Sequence, residues 1–319
     1  VNIARRQMVG GILLFSAALV AMLWANSPLR ESYFAISHIE ALKGVTIFLF
    51  FLSVGMELRH EITHGSLSKP RQAIVPIIAA MGGMLVPVLI YSIVNFGEPS
   101  ARGWGVPMST DIAFALGVLA IAGRWLPKQV RTYVMTVAVV DDSLTILMIA
   151  LFFTSNFHTL SLASLAGVVA GLLLPRSEKL QKVLEPSVAF AILPLFALLS
   201  AGVDLSKLAS ATNASPLIIL GIVLAMVIGK PLGVLGTTWL VTKSKLGTLP
   251  QEVTWARLRR VGLLFGMCFT VAMLMSELSF GESEGEQSLA NVSVLITSAV
   301  MAILATAALS VRTKHLHEH

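Results

Sequence analysis

AVVDDSLTI, residues 138–146, sets two acids side by side, Asp141 and Asp142. The residues before them, YVMTVAVV, and after them, SLTILMIALFF, carry no charge. Together they form an apolar run long enough to cross a bilayer, which takes about 20 residues. A carboxylate near the middle of such a span is too short to snorkel to water. An ionisable group there costs at least ~2.5 kcal/mol on insertion scales and marks a functional site by default. The fold therefore turns on whether the rest of the chain is built for a membrane.

Composition says that it is. The 319 residues are 55% hydrophobic and only 13% charged, and mean hydropathy is +0.82. A soluble domain of this length needs more polar surface. The net charge of +6 reads as loop charge that sets orientation, and no basic run suggests nucleic acid as a partner. Cys268 is the single cysteine, so there is no disulfide framework.

About ten spans emerge: 8–25, 43–59, 73–94, 107–123, 133–154, 160–175, 188–203, 216–242, 261–280 and 290–311. The first follows Arg5 and Arg6 as a signal peptide would, but the spans behind it favour an uncleaved first helix. The fourth is short and broken by Pro107 and Asp111. With the N-terminus inside, the cytoplasmic segments hold every Lys and Arg except Arg30, Lys43, Arg102 and Lys207 outside and Lys230 within a span. Such asymmetry is what the positive-inside rule requires of an even number of spans with both ends cytoplasmic. The acidic stretch GESEGEQ, 281–287, falls in an outer loop, and TKSKLGTLPQEVTWARLRR, 242–260, in an inner one with a short helix. The tail KHLHEH, 314–319, reads as a solvated end rather than a metal site. The whole chain, 1–319, is one polytopic unit with no soluble domain.

Residues 73–154 and 216–311 share an order: a Gly/Pro-rich helix, an interrupted one, then a long one. GKPLGVLG is expected to interrupt the eighth span, and GMCFTVAM the ninth. Paired interruptions imply two inverted-topology three-helix repeats, with broken helices crossing near the bilayer midplane.

Two close carboxylates in a low dielectric cannot both ionise cheaply. A hard cation with a preference for oxygen ligands relieves that cost. Asp141 and Asp142 can thus hold protons or a cation, in competition, or else act as hydrogen-bonded staples between helices. Lys230, deep in VIGKPLG, needs a carboxylate partner, and either of the two acids is a candidate. Ser109, Thr110 and Asp111 cluster where the fourth span unwinds. Asp111 could neutralise half-helix N-termini, which carry partial positive charge, or touch an ion. Glu57, Arg59, His60 and Glu61 close the second span as ordinary interfacial charges or as a pH-responsive cluster, since histidine titrates near neutrality.

At these residues the sequence resembles the bacterial NhaA-type sodium/proton antiporters. The matching stretches are FFLSVGMELRHEITHGSLSKPRQA, TDIAFALGVLA, AVVDDSLTILMIALFF, ILPLFALLSAGV, IGKPLGV and GMCFTVAMLMSELSF, in that order over most of the chain. The resemblance implies that Asp141 and Asp142 carry the cation and protons. It gives Lys230 as partner of the first acid, Asp111 and Thr110 at the helix crossing, and Glu57, His60 and Glu61 in a region linked to pH response. It implies electrogenic exchange of sodium or lithium for protons across a bacterial inner membrane, serving sodium and pH homeostasis, with no cofactor and no enzymatic activity.

Departures from the family pattern are equally specific. Family members typically have twelve spans. SNFHTLSLASLAGVVAGLLLP, 155–175, looks like the start of one family span fused to the end of another two later. The loop SPLRESYFAISHIE lacks the external hairpin associated with family dimers, so a dimer is not implied. Cys268, Ala272, His60, Leu162, Ser143 and Leu144 stand where other residues are usual.

Rival readings are a proton-coupled carrier of an organic solute, a non-transporting remnant of the family, and an intramembrane aspartyl protease. The protease is disfavoured because its two aspartates come from separate helices.

Overall fold

The computed structural model describes residues 2–64, 68, 70–123, 125–152, 159–174, 184, 186–206, 208, 215–281 and 283–310; for 2–8, 61, 70–72, 112, 113, 150 and 161 it describes the backbone only. The side chain of Glu61, the tail 314–319 and part of the 155–175 segment thus lie outside the described residues. Every regular element among the described residues is helical. In hydrocarbon, backbone amides have no water to bond, and helices satisfy them internally.

In chain order the helices are α1 (Asn2–Ala25), α2 (Arg30–Ser37), α3 (Glu40–Thr63), α4 (Pro70–Val94), α5 (Ile112–Ala122), α6 (Lys128–Phe152), α7 (Thr159–Leu173), α8 (Leu193–Ser200), α9 (Pro216–Leu224), α10 (Lys230–Lys243), α11 (Trp255–Gly262), α12 (Thr270–Phe280) and α13 (Glu284–Ser310). A 3-10 segment, Pro99–Met108, leads towards α5, and another, Leu263–Gly266, follows α11. A π-helical turn, Val188–Ile192, opens α8, and a second, Ala225–Gly229, joins α9 to α10.

Five helical stretches are long and apolar enough to cross a membrane: Glu40–His60, Ala73–Val94, Lys128–Ile149, Pro216–Lys243 and Glu284–Ser310. A sixth forms if Trp255–Gly266 and Thr270–Phe280, bent by 43°, count as one broken span. Val9–Ala25, Leu162–Leu173 and Val188–Ser200 are shorter apolar helices. The molecule is a multi-pass membrane protein. Outward-facing Leu19, Leu23, Leu89, Ile93, Leu151 and Ile303 give it an apolar exterior.

Two close helix contacts organise the interior. Gly82 of α4 and Gly233 of α10 lie so near that a methyl group on either would overlap the other helix's backbone. Gly55 of α3 meets Val168 and Gly171 of α7 in the same manner, and Gly167 of α7 lies against the α3 backbone at Phe48 and Leu52. Small residues allow such approach where there is no hydrophobic drive between helices. The first contact places Lys230 one turn from the α4–α10 seam, and the second locks α7 onto α3.

Three sequence expectations are corrected. GKPLG does not break its span. The 28-residue stretch Pro216–Lys243 is continuous, and Pro231 sits at the start of α10 directly after the π turn. Proline lacks a backbone N–H, and here the turn absorbs the irregularity without unwinding. The interruption of the fourth span also extends further than expected, since the 3-10 segment begins at Pro99. Finally, most of GESEGEQ is helix, because α13 starts at Glu284 with Glu284 and Glu286 in its first turn, where negative charge favours a helix.

Candidate functional site

Two broken segments meet inside the molecule. In the first, Ser109 (φ −92°, ψ 170°) and Asp111 (φ −84°, ψ 105°) are extended between the 3-10 segment and α5. In the second, Met267 (φ −90°, ψ 118°) and Phe269 (φ −136°, ψ −72°) separate Leu263–Gly266 from α12. Breaks expose backbone groups, which need partners when buried. The two breaks supply them to each other. Asp111 N donates to Met267 O at 2.9 Å, and Thr110 Oγ1 to Phe265 O at 3.1 Å. Ser109 Oγ lies 2.8 Å from Cys268 Sγ. Ser298 of α13 holds the second break by accepting from Cys268 N at 3.2 Å and donating to Cys268 O.

Asp111 is the pin of this crossing. Its Oδ1 accepts from Phe114 N at 3.0 Å, capping α5. Its Oδ2 accepts from Thr270 N at 3.2 Å and from the Thr270 hydroxyl, capping α12. Phe269, at the N-cap position of α12, offers no side-chain cap of its own. Each helix N-terminus carries roughly half a positive charge. Two of them therefore balance one carboxylate.

Asp141 and Asp142 project from the middle of α6 and are almost fully buried. Lys230, 1% exposed, sits where the π turn passes into α10. Its ammonium donates to Asp141 Oδ2 at 2.7 Å and to Thr110 Oγ1 at 2.9 Å. The sequence left two partners open for Lys230, and the geometry selects the first acid. Thr110 joins both parts of the site, accepting from Lys230 while donating to the facing break. Asp141 Oδ1 and Asp142 Oδ1 are buried with no hydrogen-bond partner among the described residues. The charges of Asp141, Asp111 and Glu57 repel a charge on Asp142, and that of Lys230 attracts it.

Ionised, Asp141, Asp142 and Lys230 together carry one uncompensated negative charge. A buried ion set of this kind is costly unless a further positive charge joins it. One proton or one monovalent cation restores neutrality. Two carboxylate oxygens of the set have no hydrogen-bond partner among the described residues.

The cluster at the end of α3 is divided. Glu57 lies within electrostatic reach of Asp142. His60 stacks on His64 with ring centroids 5.7 Å apart, and its Nδ1 is buried without a hydrogen-bond partner among the described residues. Arg59 donates to Leu172 O and Leu174 O, each at 2.8 Å, closing the C-terminal end of α7. Sequence reading missed Thr270, Ser298 and the bridging use of Thr110. A threonine opening a half-helix directly after a break was the available signal for Thr270; Ser298 had none.

The model of the family described as Na+/H+ antiporter 1 matches residues 1–175 and 162–309. A Na(+)/H(+) antiporter NhaA of Arthrobacter sp. (strain FB24) is 36% identical over 395 residues, covering 98% of this chain and 85% of that protein. The namesake from Frankia casuarinae is 34% identical, covering 98% and 87%. That from Escherichia coli O157:H7 is 34% identical, covering 96% of each. These alignments run longer than the chain itself, so the relatives carry segments that it lacks. Both parts of the family match include residues 162–175. Matched in sequence over nearly its whole length, the chain belongs to the Na+/H+ antiporter 1 family.

Proposed function

We propose that the chain exchanges sodium, and also lithium, for protons across a bacterial inner membrane, with Asp141 and Asp142 as the shared site. The observation that carries this reading is the single uncompensated charge of the Asp141–Asp142–Lys230 set, next to two buried carboxylate oxygens without partners. A proton and a sodium ion satisfy the same deficit, so binding of one expels the other. Competition at one site, exposed alternately to each side, is sufficient for exchange.

Electrogenic exchange follows if one cation displaces a proton from each of the two carboxylates, since two positive charges then leave for the one that binds.

The architecture that fits is ten spans with both termini cytoplasmic and two inverted repeats, about 73–154 and 216–311. In support, each unit has a long helix, a broken one and a long one, and the two breaks bond to each other. The double match over residues 162–175 supports a fused span in place of the two lost family spans. Glu57 and His60, with Glu61, form the pH-responding group of this reading.

Purified protein in liposomes with an imposed pH gradient provides the test. Sodium or lithium, but not potassium, should evoke proton flux. Absence of flux with every cation between pH 6 and 9, from folded protein, would leave the non-transporting remnant as the better reading.

A further inference from the structure

Hydroxyls on the helices of this protein commonly donate to the carbonyl one turn back. On α6, Thr136 bonds Thr132 O at 3.0 Å and Ser143 bonds Val139 O at 2.7 Å. On α10 and α13, Thr238 bonds Val234 O and Ser293 bonds Leu289 O, each at 2.6 Å. Thr145 departs from this habit. It is fully buried, and its Oγ1 has no hydrogen-bond partner among the described residues. A buried hydroxyl left unpaired is destabilising, so its presence calls for an explanation.

Its position on α6 supplies one. Successive residues turn by about 100°. Taking Asp141 as the origin, Asp142 lies at about 100° and Thr145 at about 40°, one turn further along. Thr145 therefore falls between the two acids in projection, and it neighbours both as an i+4 and an i+3 residue. Three buried oxygens without partners among the described residues are thus gathered on one turn of one helix: Asp141 Oδ1, Asp142 Oδ1 and Thr145 Oγ1.

We infer that Thr145 supplies a neutral oxygen ligand to the transported cation and tilts the site towards sodium over lithium. The inference rests on the reading of the acid pair as the cation site. Selectivity between hard cations follows cavity size and the number of oxygen ligands. Sodium is larger than lithium and gathers more oxygens. A hydroxyl adds one without changing the charge that the site must balance. A proton on a carboxylate needs no third oxygen, so Thr145 distinguishes cation from proton.

The experiment measures sodium- and lithium-evoked proton flux in liposomes for wild type, Thr145→Val, Thr145→Ser and Asp142→Asn. Valine keeps the shape and removes only the hydroxyl. Thr145→Val should raise the KM for sodium about tenfold, the scale of one lost contact to a charged group, and that for lithium less than about threefold. Vmax at saturating sodium should stay near wild type, and Thr145→Ser should restore the sodium KM. An unchanged sodium KM in Thr145→Val, or an equal rise for both ions with a fall in Vmax, overturns the inference. Asp142→Asn separates the two readings: if it keeps a wild-type sodium KM, the acid-pair reading itself falls; if it is inactive while Thr145→Val is unaltered, only the hydroxyl's role falls.

Discussion

Asp111 and Asp142 are both buried aspartates in a membrane protein, and their surroundings are opposite. Asp111 has both oxygens engaged by donors from two helix N-termini. Asp142 has an oxygen with no partner among the described residues and stands beside a second acid that is ion-paired to Lys230. The first aspartate is balanced by donors within the fold. On the proposed reading, the second is where a proton or a cation binds. Residue type and burial alone do not identify a transport site; the test is whether local donors already balance the charge.

That contrast can be broken by substitution, beginning with the largest effect. Asp142→Asn should reduce sodium-evoked proton flux at least about a hundredfold, the scale of removing one member of a buried charge set. A wild-type flux would erase the distinction between the two aspartates. Lys230→Met comes next. It leaves Asp141 with a buried, unpaired charge and should destabilise the protein by about 3–5 kcal/mol. Adding Asp141→Asn should recover much of that loss, because the uncompensated charge goes with it. Denaturation of the two variants in detergent measures both values, and lack of recovery would mean that the ion pair is not the main link between α6 and α10.

Asp111→Ala should lower stability by about 1–3 kcal/mol through the loss of two helix caps. Asp142→Asn should not lower it, since an amide carries no charge to bury. The same denaturation series compares them, and equal losses would contradict the division of roles. The smallest effect is expected at Arg102, which is exposed and pairs with Glu286. Arg102→Met should cost no more than about 1 kcal/mol.

The acid pair stood out in the sequence as two charges in an otherwise apolar span, and the structure buries both. The need of Lys230 for a carboxylate was legible too. Which acid it takes was not readable from the residues themselves; the family resemblance implied Asp141, the acid that Lys230 bonds. GMCFTVAM was read correctly as a break, whereas GKPLG was not one. Both contain helix-weakening residues, and only tertiary contacts decide whether the chain unwinds. The crossing provides hydrogen-bond partners for the backbone freed at Met267–Phe269, while a π turn suffices before Pro231. Asp111 was recognised as a possible cap for half-helices. Its second partner, Thr270, lies 159 residues away, beyond any local pattern. GESEGEQ looked like a loop by charge alone, yet Glu284 and Glu286 sit in the first turn of α13, where negative charge favours a helix.

The central claim is that protons and sodium compete at Asp141 and Asp142 and not at Asp111. Adding sodium to purified protein in lightly buffered detergent solution, and recording pH, tests it most directly. Wild type and Asp111→Asn should release protons on sodium addition, and Asp142→Asn should release none. Release from Asp142→Asn equal to wild type, or its loss in Asp111→Asn alone, would contradict the account.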